Sequence, residues 1–279
     1  MRIAALQMVS TPVLADNLAV AERLLAEAAD GGAELAVLPE NFAVFGKRDL
    51  LSEGEAERHS TGPMRTYLRR CAQRFGLWLV GGTLPTVAPH AGVQPPPQRV
   101  FAASFVINAQ GEEVGRYDKV HLFDVDVNDG QGRYRESDTF APGKRPEVVE
   151  TPWGRLGVAV CYDLRFPEYF RLLVDDGAEL IVVPSAFTYV TGKAHWQILM
   201  QARAVENLCY MAGACQGGQH DSKRRTWGDS MVVDPWGAVL ARRPQGEGVV
   251  IADIDFGEVA RRRGTMPVHR HRRFSIAPL

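Results

Sequence analysis

The segment Gly32-Ala33-Glu34-Leu35-Ala36-Val37-Leu38-Pro39-Glu40 recurs later in the chain as Gly177-Ala178-Glu179-Leu180-Ile181-Val182-Val183-Pro184-Ser185, with six of nine positions identical. Each copy reads as a buried strand that ends at a proline, and each follows a strand and a helix. The chain is therefore predicted to hold two similar β-α-β units within one domain. Chance recurrence is the alternative, and the matching context of the two copies argues against it. Residues just past such strands face the ligand crevice, so Glu40 and Ser185 are expected there.

A third segment has the same design around a cysteine. Leu156-Gly157-Val158-Ala159-Val160 is an uncharged run that ends at Cys161, and a polar segment with helix-forming character, up to Glu168, follows at once. This pattern predicts a buried strand that delivers Cys161 to the start of a helix. Because a helix N-terminus is partly positive, the thiol pKa is expected to be lowered, as for a nucleophile. The alternative is that Cys161 is a small buried hydrophobe, as most free cysteines are.

Hydrophobic periodicity and turn residues predict the remaining elements. Strands are expected at 3–8, 35–38, 77–80, 100–108 and 113–117, and a helix at 63–75. A first helix is expected to be capped by Asp16 and to bury the face of Leu18, Ala21, Leu25 and Ala28. A later helix is expected to turn Ile198, Ala202 and Val205 toward the core. The Pro- and Gly-rich stretch 85–97 is predicted to be a surface excursion, and 228–237 a strand and turn.

Composition limits the classes of function. The chain has 279 residues, 46% of them hydrophobic, and a net charge of −1, which gives no overall attraction to nucleic acid or membrane. No apolar run approaches a membrane span, and the first residues run into a strand without a signal-peptide pattern. No C-x-x-C pair or histidine set has metal-ligand spacing, so reduced thiols and a cytoplasmic location are expected. The basic stretches 261–263 and 269–273 are interpreted as a solvated face or subunit contact.

Glu40 and Lys119 are further candidates for chemistry. A carboxylate directly after an apolar strand loses water, which suits a general base near neutral pH. Its alternative is a surface glutamate that begins a loop. Lys119 lies between apolar residues in Tyr117-Asp118-Lys119-Val120-His121-Leu122-Phe123. It is either a desolvated, fixed cation or a lysine at a strand end whose ammonium reaches solvent.

Taken together, these motifs resemble a known family. Leu38-Pro39-Glu40, the stretch from Tyr117 to Phe123, and the stretch from Val160 to Glu168 resemble the Glu-Lys-Cys motifs of the nitrilase superfamily of carbon–nitrogen hydrolases. The resemblance runs from the first strand to the C-terminus, with the motifs in the family's order. It implies an α/β fold of the α-β-β-α sandwich type, with residues 1–279 as one carbon–nitrogen hydrolase domain.

The resemblance also implies roles for individual residues. Cys161 would be the nucleophile, Glu40 the general base and Lys119 the cation that stabilises the tetrahedral intermediate, together with the Tyr162 backbone N–H. The segment from Tyr134 to Gly143 resembles the family segment with a second glutamate, so Glu136 would position Lys119 and the substrate amide. One more loop carboxylate is the alternative for Glu136. No metal or organic cofactor is implied, and homodimers or higher homo-oligomers are expected.

Within the superfamily the chain is most similar to the Nit branch, and there to the deaminated glutathione amidases. This similarity implies hydrolysis of the terminal amide of a small carboxylate-bearing substrate. The alternatives are an omega-amidase acting on α-ketoglutaramate, a nitrilase or carbamoyl-type hydrolase, and a catalytically idle binding module.

Basic residues are expected near such a substrate. Arg165 is one candidate, with Glu168 or Asp163 as structural partners if it is not. The run Lys223-Arg224-Arg225 is another candidate, but it is not counted among the site residues. Lys193 stands where the branch usually has proline and is interpreted as a solvated loop lysine. His195 and Trp196 are expected to begin a helix and to pack or cap there.

Overall fold

The computed structural model describes residues 1–47, 49–129 and 132–276. Within these residues, two mixed β-sheets pack face to face, and a separate two-stranded hairpin lies beside them. The first sheet contains β1 (Arg2–Gln7), β2 (Leu35–Val37), β3 (Trp78–Val80), β4 (Leu84–Thr86), β5 (Phe101–Ile107), β6 (Glu113–Asp118) and β15 (Gly248–Asp253). The hairpin contains β7 (Asp124–Asp126) and β8 (Arg133–Arg135). The second sheet contains β9 (Glu147–Glu150), β10 (Arg155–Val158), β11 (Leu180–Ser185), β12 (Tyr210–Cys215), β13 (Ser230–Val233) and β14 (Val239–Arg243).

Helices cover the outer faces of the two sheets. The described helices are α1 (Leu14–Asp30), α2 (Leu51–Ala56), α3 (Pro63–Phe75), α4 (Pro167–Asp175), α5 (Tyr189–Asn207), α6 (Phe256–Thr265) and α7 (Val268–His271). Two short 3-10 helices, Glu136–Asp138 and Cys161–Arg165, follow β8 and β10. Among the described helices, none has both the length and the apolar character needed to cross a membrane.

The alternation of side chains along β1 shows how the layers form. Ile3 and Ala5 join the core between the two sheets, whereas Ala4 and Leu6 pack with residues of α1 and α3. This is the period-two pattern of a strand with both faces buried. On the other side, residues of α4 and α5 pack against the second sheet. The α-β-β-α sandwich implied by the sequence is therefore confirmed.

The two repeated segments form equivalent β-α-β units. β2 lies parallel between β1 and β3, and β11 lies parallel between β10 and β12. Gly32 (φ 76°) and Gly177 (φ 88°) follow α1 and α4 in the left-handed region that favours glycine. The N–H of Glu34 then bonds to β1 and that of Glu179 to β10. The predicted duplication is confirmed, and it places Glu40 and Ser185 at the carboxyl ends of matching strands.

Two local predictions near the N-terminal half were wrong. α1 begins at Leu14 after Val13, with no side-chain cap, so Asp16 lies in the first turn rather than at the cap. There its negative charge faces the positive end of the helix, which explains the preference without a capping bond. The stretch 85–97 does not lie wholly on the surface, because its first residues belong to β4 and residues 85–88 are buried. Pro85 is tolerated because β4 is an edge strand.

The predicted inner face of α5 was also wrong. Ile198 is 67% exposed, Val205 is 43% exposed and Ala202 is exposed, so this stripe faces outward. The rotation of the helix is set by Trp196, whose indole N–H donates to the Asp229 carbonyl at 2.8 Å. The buried face consists of Gly192, Trp196, Met200, Arg203, Ala204 and Asn207.

Candidate active site

The structure brings the four predicted site residues into one cluster between the two sheets. Lys119 Nζ lies 2.7 Å from Glu40 Oε1 and 2.8 Å from each carboxylate oxygen of Glu136. The Cys161 thiol contacts the Glu40 carboxylate and the backbone N–H of Ala186. All four side chains line one cavity. The sequence thus predicted which residues meet, although they come from four separate segments.

Glu40 is positioned by a tight backbone arrangement at the end of β2. Asn41 adopts a positive φ of 55°, and its N–H donates to Thr83 Oγ1 at 2.8 Å. Gly82 packs directly beneath, where an added Cβ would lie 2.1 Å from the Pro39 carbonyl oxygen. The Glu40 carbonyl accepts a hydrogen bond from Gln216 Nε2 at 3.2 Å. The backbone around Glu40 is therefore held by contacts from both sheets.

Cys161 occupies a strained turn between β10 and the 3-10 helix. Its φ is 49°, a left-handed value that costs a non-glycine residue about 1–2 kcal/mol. The neighbouring Asp163, fully buried, accepts from the Val160 N–H at 2.7 Å and so closes this turn. Strain of this kind persists only where the surrounding structure fixes it. The turn aims the thiol into the cavity, away from the sheet.

Asp163 also ties the cysteine turn to the segment that carries Lys119. Its carboxylate accepts from the Tyr117 hydroxyl at 2.7 Å and from the N–H and Nδ1–H of His121 at 3.2 and 2.7 Å. Tyr117 and His121 flank Lys119 on either side along the chain. One buried carboxylate therefore fixes the relative position of Cys161 and Lys119.

The surroundings of Cys161 favour the neutral form of its thiol. Burial, reinforced by the negative charge of Glu40, raises the pKa of Cys161 well above its ordinary value, although Lys119 and the Ala186 N–H act in the opposite direction. The lowered pKa predicted from the sequence was wrong, because the thiol is buried, a carboxylate stands beside it, and only a short 3-10 helix follows it. Cys161 therefore needs a base that takes its proton during attack.

Lys119 is a permanent cation in this cluster. Burial alone would lower the pKa of its ammonium, but the carboxylates of Glu136 and Glu40 more than offset this and hold the pKa well above the ordinary value. For Glu136, burial raises the carboxyl pKa, and Lys119 opposes that rise. Glu136 Oε2 also accepts from the Phe123 N–H at 2.6 Å. The ammonium is thus fixed in place and charged.

The cavity has a volume of about 430 Å³ and opens past several basic side chains. Arg165 lines it, and its guanidinium donates to His195 Nδ1 at 3.3 Å rather than to Glu168 or Asp163. Lys193 lies exposed within α5 and is not in the cavity wall, so it is not a loop residue. His195 likewise lies inside α5, which begins at Tyr189.

Two features of the site were not predicted from the sequence. Lys223 and Arg224, whose basic run 223–225 is not counted among the predicted site residues, line the cavity. Their signal was an unusually dense local charge in a chain of balanced composition. Asp163 was named only as a partner for Arg165, and no local pattern distinguishes it from other buried or exposed aspartates. Within the residues that the structure describes, no three His, Cys, Asp or Glu side chains are arranged to hold a metal ion.

Solved structures with similar folds are amidases and Nit proteins. Saccharomyces cerevisiae Nit3, a member of branch 10 of the nitrilase superfamily, is 30% identical with a TM-score of 0.85, over 98% of this chain and 97% of that one. A mutant of the amidase from Nesterenkonia sp. AN1, with acrylamide added at its active site cysteine, is 29% identical with a TM-score of 0.77, over 97% of this chain and 99% of that one.

Sequence relatives give the same family. The deaminated glutathione amidase of Yersinia enterocolitica is 42% identical over 99% of this chain and 95% of its own length. The omega-amidase NIT2 of Xenopus tropicalis is 35% identical over 99% and 96%. The carbon–nitrogen hydrolase family model matches residues 2–263. With the Glu-Lys-Cys cluster and the α-β-β-α sandwich in place, the chain belongs to the carbon–nitrogen hydrolases of the nitrilase superfamily.

Proposed function

We propose that this enzyme is a cysteine-dependent amidase that hydrolyses a small carboxylate-bearing amide, with deaminated glutathione as the substrate, through a thioester on Cys161. The observation that carries the proposal is the cluster itself. A buried ammonium bonds to two carboxylates, one of which contacts the only cysteine thiol that lines the cavity of the described residues. Nucleophile, base and fixed cation are the three parts that acyl transfer through sulfur requires.

Acylation follows from this geometry. The Cys161 sulfur attacks the amide carbon while Glu40 takes the thiol proton, which avoids a free thiolate beside a carboxylate. The carbonyl oxygen becomes an oxyanion that faces the Lys119 ammonium and the Tyr162 N–H. Glu40 then passes its proton to the amide nitrogen, the C–N bond breaks, and the amine leaves. The acyl group remains on sulfur as a thioester.

Deacylation uses the same groups with water in place of the amine. Glu40 removes a proton from a water molecule as the water oxygen attacks the thioester carbon. The C–S bond breaks, the proton returns to sulfur, and the carboxylic acid is released. Glu136 does not exchange protons in either step, because both of its oxygens hold Lys119. Its role is to keep the ammonium aimed at the oxyanion.

The substrate assignment rests on relatives and on charge. Several relatives at 40–42% identity over nearly the whole chain are named deaminated glutathione amidase, whereas the omega-amidase is 35% identical. Arg165 lies in the cavity wall four residues after Cys161 and is proposed to bind a carboxylate on the acyl side. The alternative function is omega-amidase activity on α-ketoglutaramate, which also carries one carboxylate on that side. A nitrilase, a carbamoyl-type hydrolase and an idle binding module are the remaining alternatives.

The decisive experiment is steady-state hydrolysis of deaminated glutathione and α-ketoglutaramate, followed by their shared 2-oxo acid product. A panel of simple nitriles and carbamoyl compounds is run in parallel. Deaminated glutathione is expected to give the highest kcat/KM. If the enzyme hydrolysed a nitrile but neither amide, the substrate assignment would be refuted, while catalysis through Cys161 would stand.

Variants test the proposed roles. We expect kcat to fall by at least about 10³-fold in each of three variants, Cys161→Ala, Glu40→Gln and Lys119→Met. Cys71→Ala, which changes a buried thiol on α3, is the control and should retain activity. Retained turnover in Cys161→Ala would refute the thioester mechanism.

We also propose that residues 1–279 form one domain, and that the enzyme is cytoplasmic and assembles as a homodimer or higher homo-oligomer. Beyond the family match, α7 packs near α5, and Arg272 pairs with Asp175 on α4, which supports a single domain. The outward stripe of α5 and the half-exposed Trp236 offer apolar surface to a second copy. Light scattering of the wild type and of Ile198→Lys tests this, and a monomeric wild type would contradict it.

A further inference from the structure

Arg224, like Arg165 and Lys223, lines the cavity without an ion pair among the described residues, whereas the other cations of the cavity are paired. Lys119 pairs with Glu40 and Glu136, Lys47 with a neighbouring carboxylate, and Arg135 with one at 2.9 Å. The Arg224 side chain has no ion pair within the described residues, although it lines the same cavity as Cys161. An unpaired guanidinium in a partly enclosed wall is an attractive partner for an anion from outside.

Aromatic rings hold this guanidinium in place. Its central carbon lies 4.4 Å from the ring centroid of Phe45 and 5.8 Å from that of Tyr134. Phe45 in turn packs against His220, with ring centroids 4.0 Å apart and the ring planes tilted by 32°. Contacts of this kind fix an arginine without neutralising its charge. Little side-chain freedom would then be lost on binding a ligand.

The backbone around Arg224 is equally constrained. Its N–H donates to Asp221 Oδ1 at 2.8 Å, and its carbonyl accepts from the His220 N–H at 2.9 Å. The backbone N–H groups of Lys223 and Arg224, and also the charge of Arg224, lower the pKa of Asp221, but its carboxylate forms no salt bridge with the guanidinium. The turn presents a positioned positive charge to the cavity.

An aromatic row connects Arg224 to Arg165. Tyr134 lies 5.2 Å from Phe123, Phe123 lies 5.0 Å from Tyr162, and the Arg165 guanidinium lies 5.9 Å from Tyr162, each measured to ring centroids. One wall of the cavity is thus a row of aromatic rings, with an arginine in contact with the ring at each end of the row. Such a wall suits a ligand with an uncharged centre and two terminal anions.

We propose that Arg224 binds the carboxylate on the leaving-group side of the scissile amide; this inference rests on the proposed function. Arg165 belongs to the same 3-10 helix as Cys161, which keeps the acyl group. Phe45 and Tyr134, the rings beside Arg224, belong to the segments that carry Glu40 and Glu136. Because Glu40 protonates the departing nitrogen, the leaving group points to that side.

Comparing the two substrates distinguishes binding of the acyl-side carboxylate from binding of the leaving-group carboxylate. Deaminated glutathione carries one carboxylate on the acyl side and a second on the departing cysteinylglycine. α-Ketoglutaramate carries only the acyl-side carboxylate and releases ammonia. In Arg224→Gln, the ratio of kcat/KM for deaminated glutathione to kcat/KM for α-ketoglutaramate should fall by about 10- to 100-fold. Arg224→Lys should recover part of the ratio, since it keeps the charge and loses the fork geometry.

Arg225→Gln is the matched control. The Arg225 guanidinium lies 3.8 Å from the Tyr189 ring and is not in the cavity wall, so the ratio should stay at the wild-type value. An unchanged ratio in Arg224→Gln would overturn the inference. An equal fall in Arg225→Gln would do the same, because it would reduce the effect to general surface charge.

A binding measurement tests the role of Arg224 without relying on turnover. Calorimetry on Cys161→Ala compares deaminated glutathione with its derivative amidated at the glycine carboxyl. The free carboxylate should bind about 10- to 100-fold tighter, and Arg224→Gln should remove this difference. If the wild type hydrolysed neither amide, the proposed function would fail. A missing preference for the carboxylate would overturn the Arg224 assignment itself.

Discussion

Replacing Asp163 by asparagine tests the carboxylate that joins the two catalytic segments. Asp163 Oδ2 accepts from Tyr117 and Val160, and Oδ1 accepts twice from His121. Asparagine keeps one oxygen and turns an NH₂ group toward two donors, so two buried donors lose their acceptor. Each such loss costs about 1–3 kcal/mol, which predicts destabilisation of roughly 3–5 kcal/mol. Against a total stability of about 5–15 kcal/mol, the variant should fold but unfold at a lower urea midpoint.

Tyr117→Phe is the matched comparison. It removes one of the four hydrogen bonds to Asp163 and the hydroxyl that accepts from the Val120 N–H. We expect a loss of about 1–2 kcal/mol in the free energy of unfolding. Both variants are measured by urea unfolding at pH 7, followed by intrinsic fluorescence.

Activity separates positioning from general stability. Because Asp163 fixes Cys161 relative to Lys119, Asp163→Asn should lower kcat by about 10²-fold under conditions where it is fully folded, with a smaller change in KM. The reasoning fails if Asp163→Asn unfolds within about 1 kcal/mol of the wild type. It also fails if the folded variant keeps the wild-type kcat.

Three further outcomes follow from the structure. Burial lowers the pKa of His220 to about 4, so the contribution of the neutral imidazole to the free energy of unfolding is complete above pH ~6.5 and is lost as the pH falls toward 4. Up to about 3 kcal/mol should disappear over that window in the wild type but not in His220→Gln. Burial raises the pKa of all four thiols, so stability holds below pH ~9 and then falls by up to about 1.4 kcal/mol per pH unit for each thiol, which urea midpoints between pH 8 and 10.5 should show. Gly82→Ala should cost at least about 3 kcal/mol and lower kcat, since its Cβ meets the Pro39 carbonyl; Gly76→Ala, with a similar φ and open space, should cost only about 1 kcal/mol and spare kcat.

The sequence predicted the layers because they depend on local patterns. The repeated Gly-Ala-Glu-Leu segments and their bounding prolines specify two strands with both faces buried, and pairing of those strands leaves few arrangements. The helix at 63–75 was predicted with its bounds, since proline begins it and glycine ends it. The face of α5 could not be read in the same way. Apolar residues lie all round that helix, and only the distant Asp229 carbonyl selects the side of Trp196.

The active site was likewise predictable in part. That Glu40 and Cys161 lie close together was predictable, because strand carboxyl ends converge at one edge, whereas Lys119 and Glu136 were placed beside them by the family resemblance. The electrostatics of the site were not predictable, since the thiol pKa depends on burial by the assembled fold and on a carboxylate that is distant in sequence. Arg224 was missed for a related reason, because Arg224, Phe45 and Tyr134 belong to three different segments of the chain. A contact between residues so far apart in the chain cannot be predicted from a local sequence pattern.

The excess of carboxylate over ammonium beside Cys161 has a consequence for oxidation. Peroxides and disulfides react with thiolates, and burial together with the Glu40 carboxylate raises the pKa of the Cys161 thiol and so favours its neutral form. The enzyme therefore keeps its nucleophile in a form that oxidants attack slowly, and generates the reactive sulfur only as an amide carbon comes within bonding distance. A site built to delay ionisation in this way protects Cys161, the one cysteine among the described residues that lines the cavity.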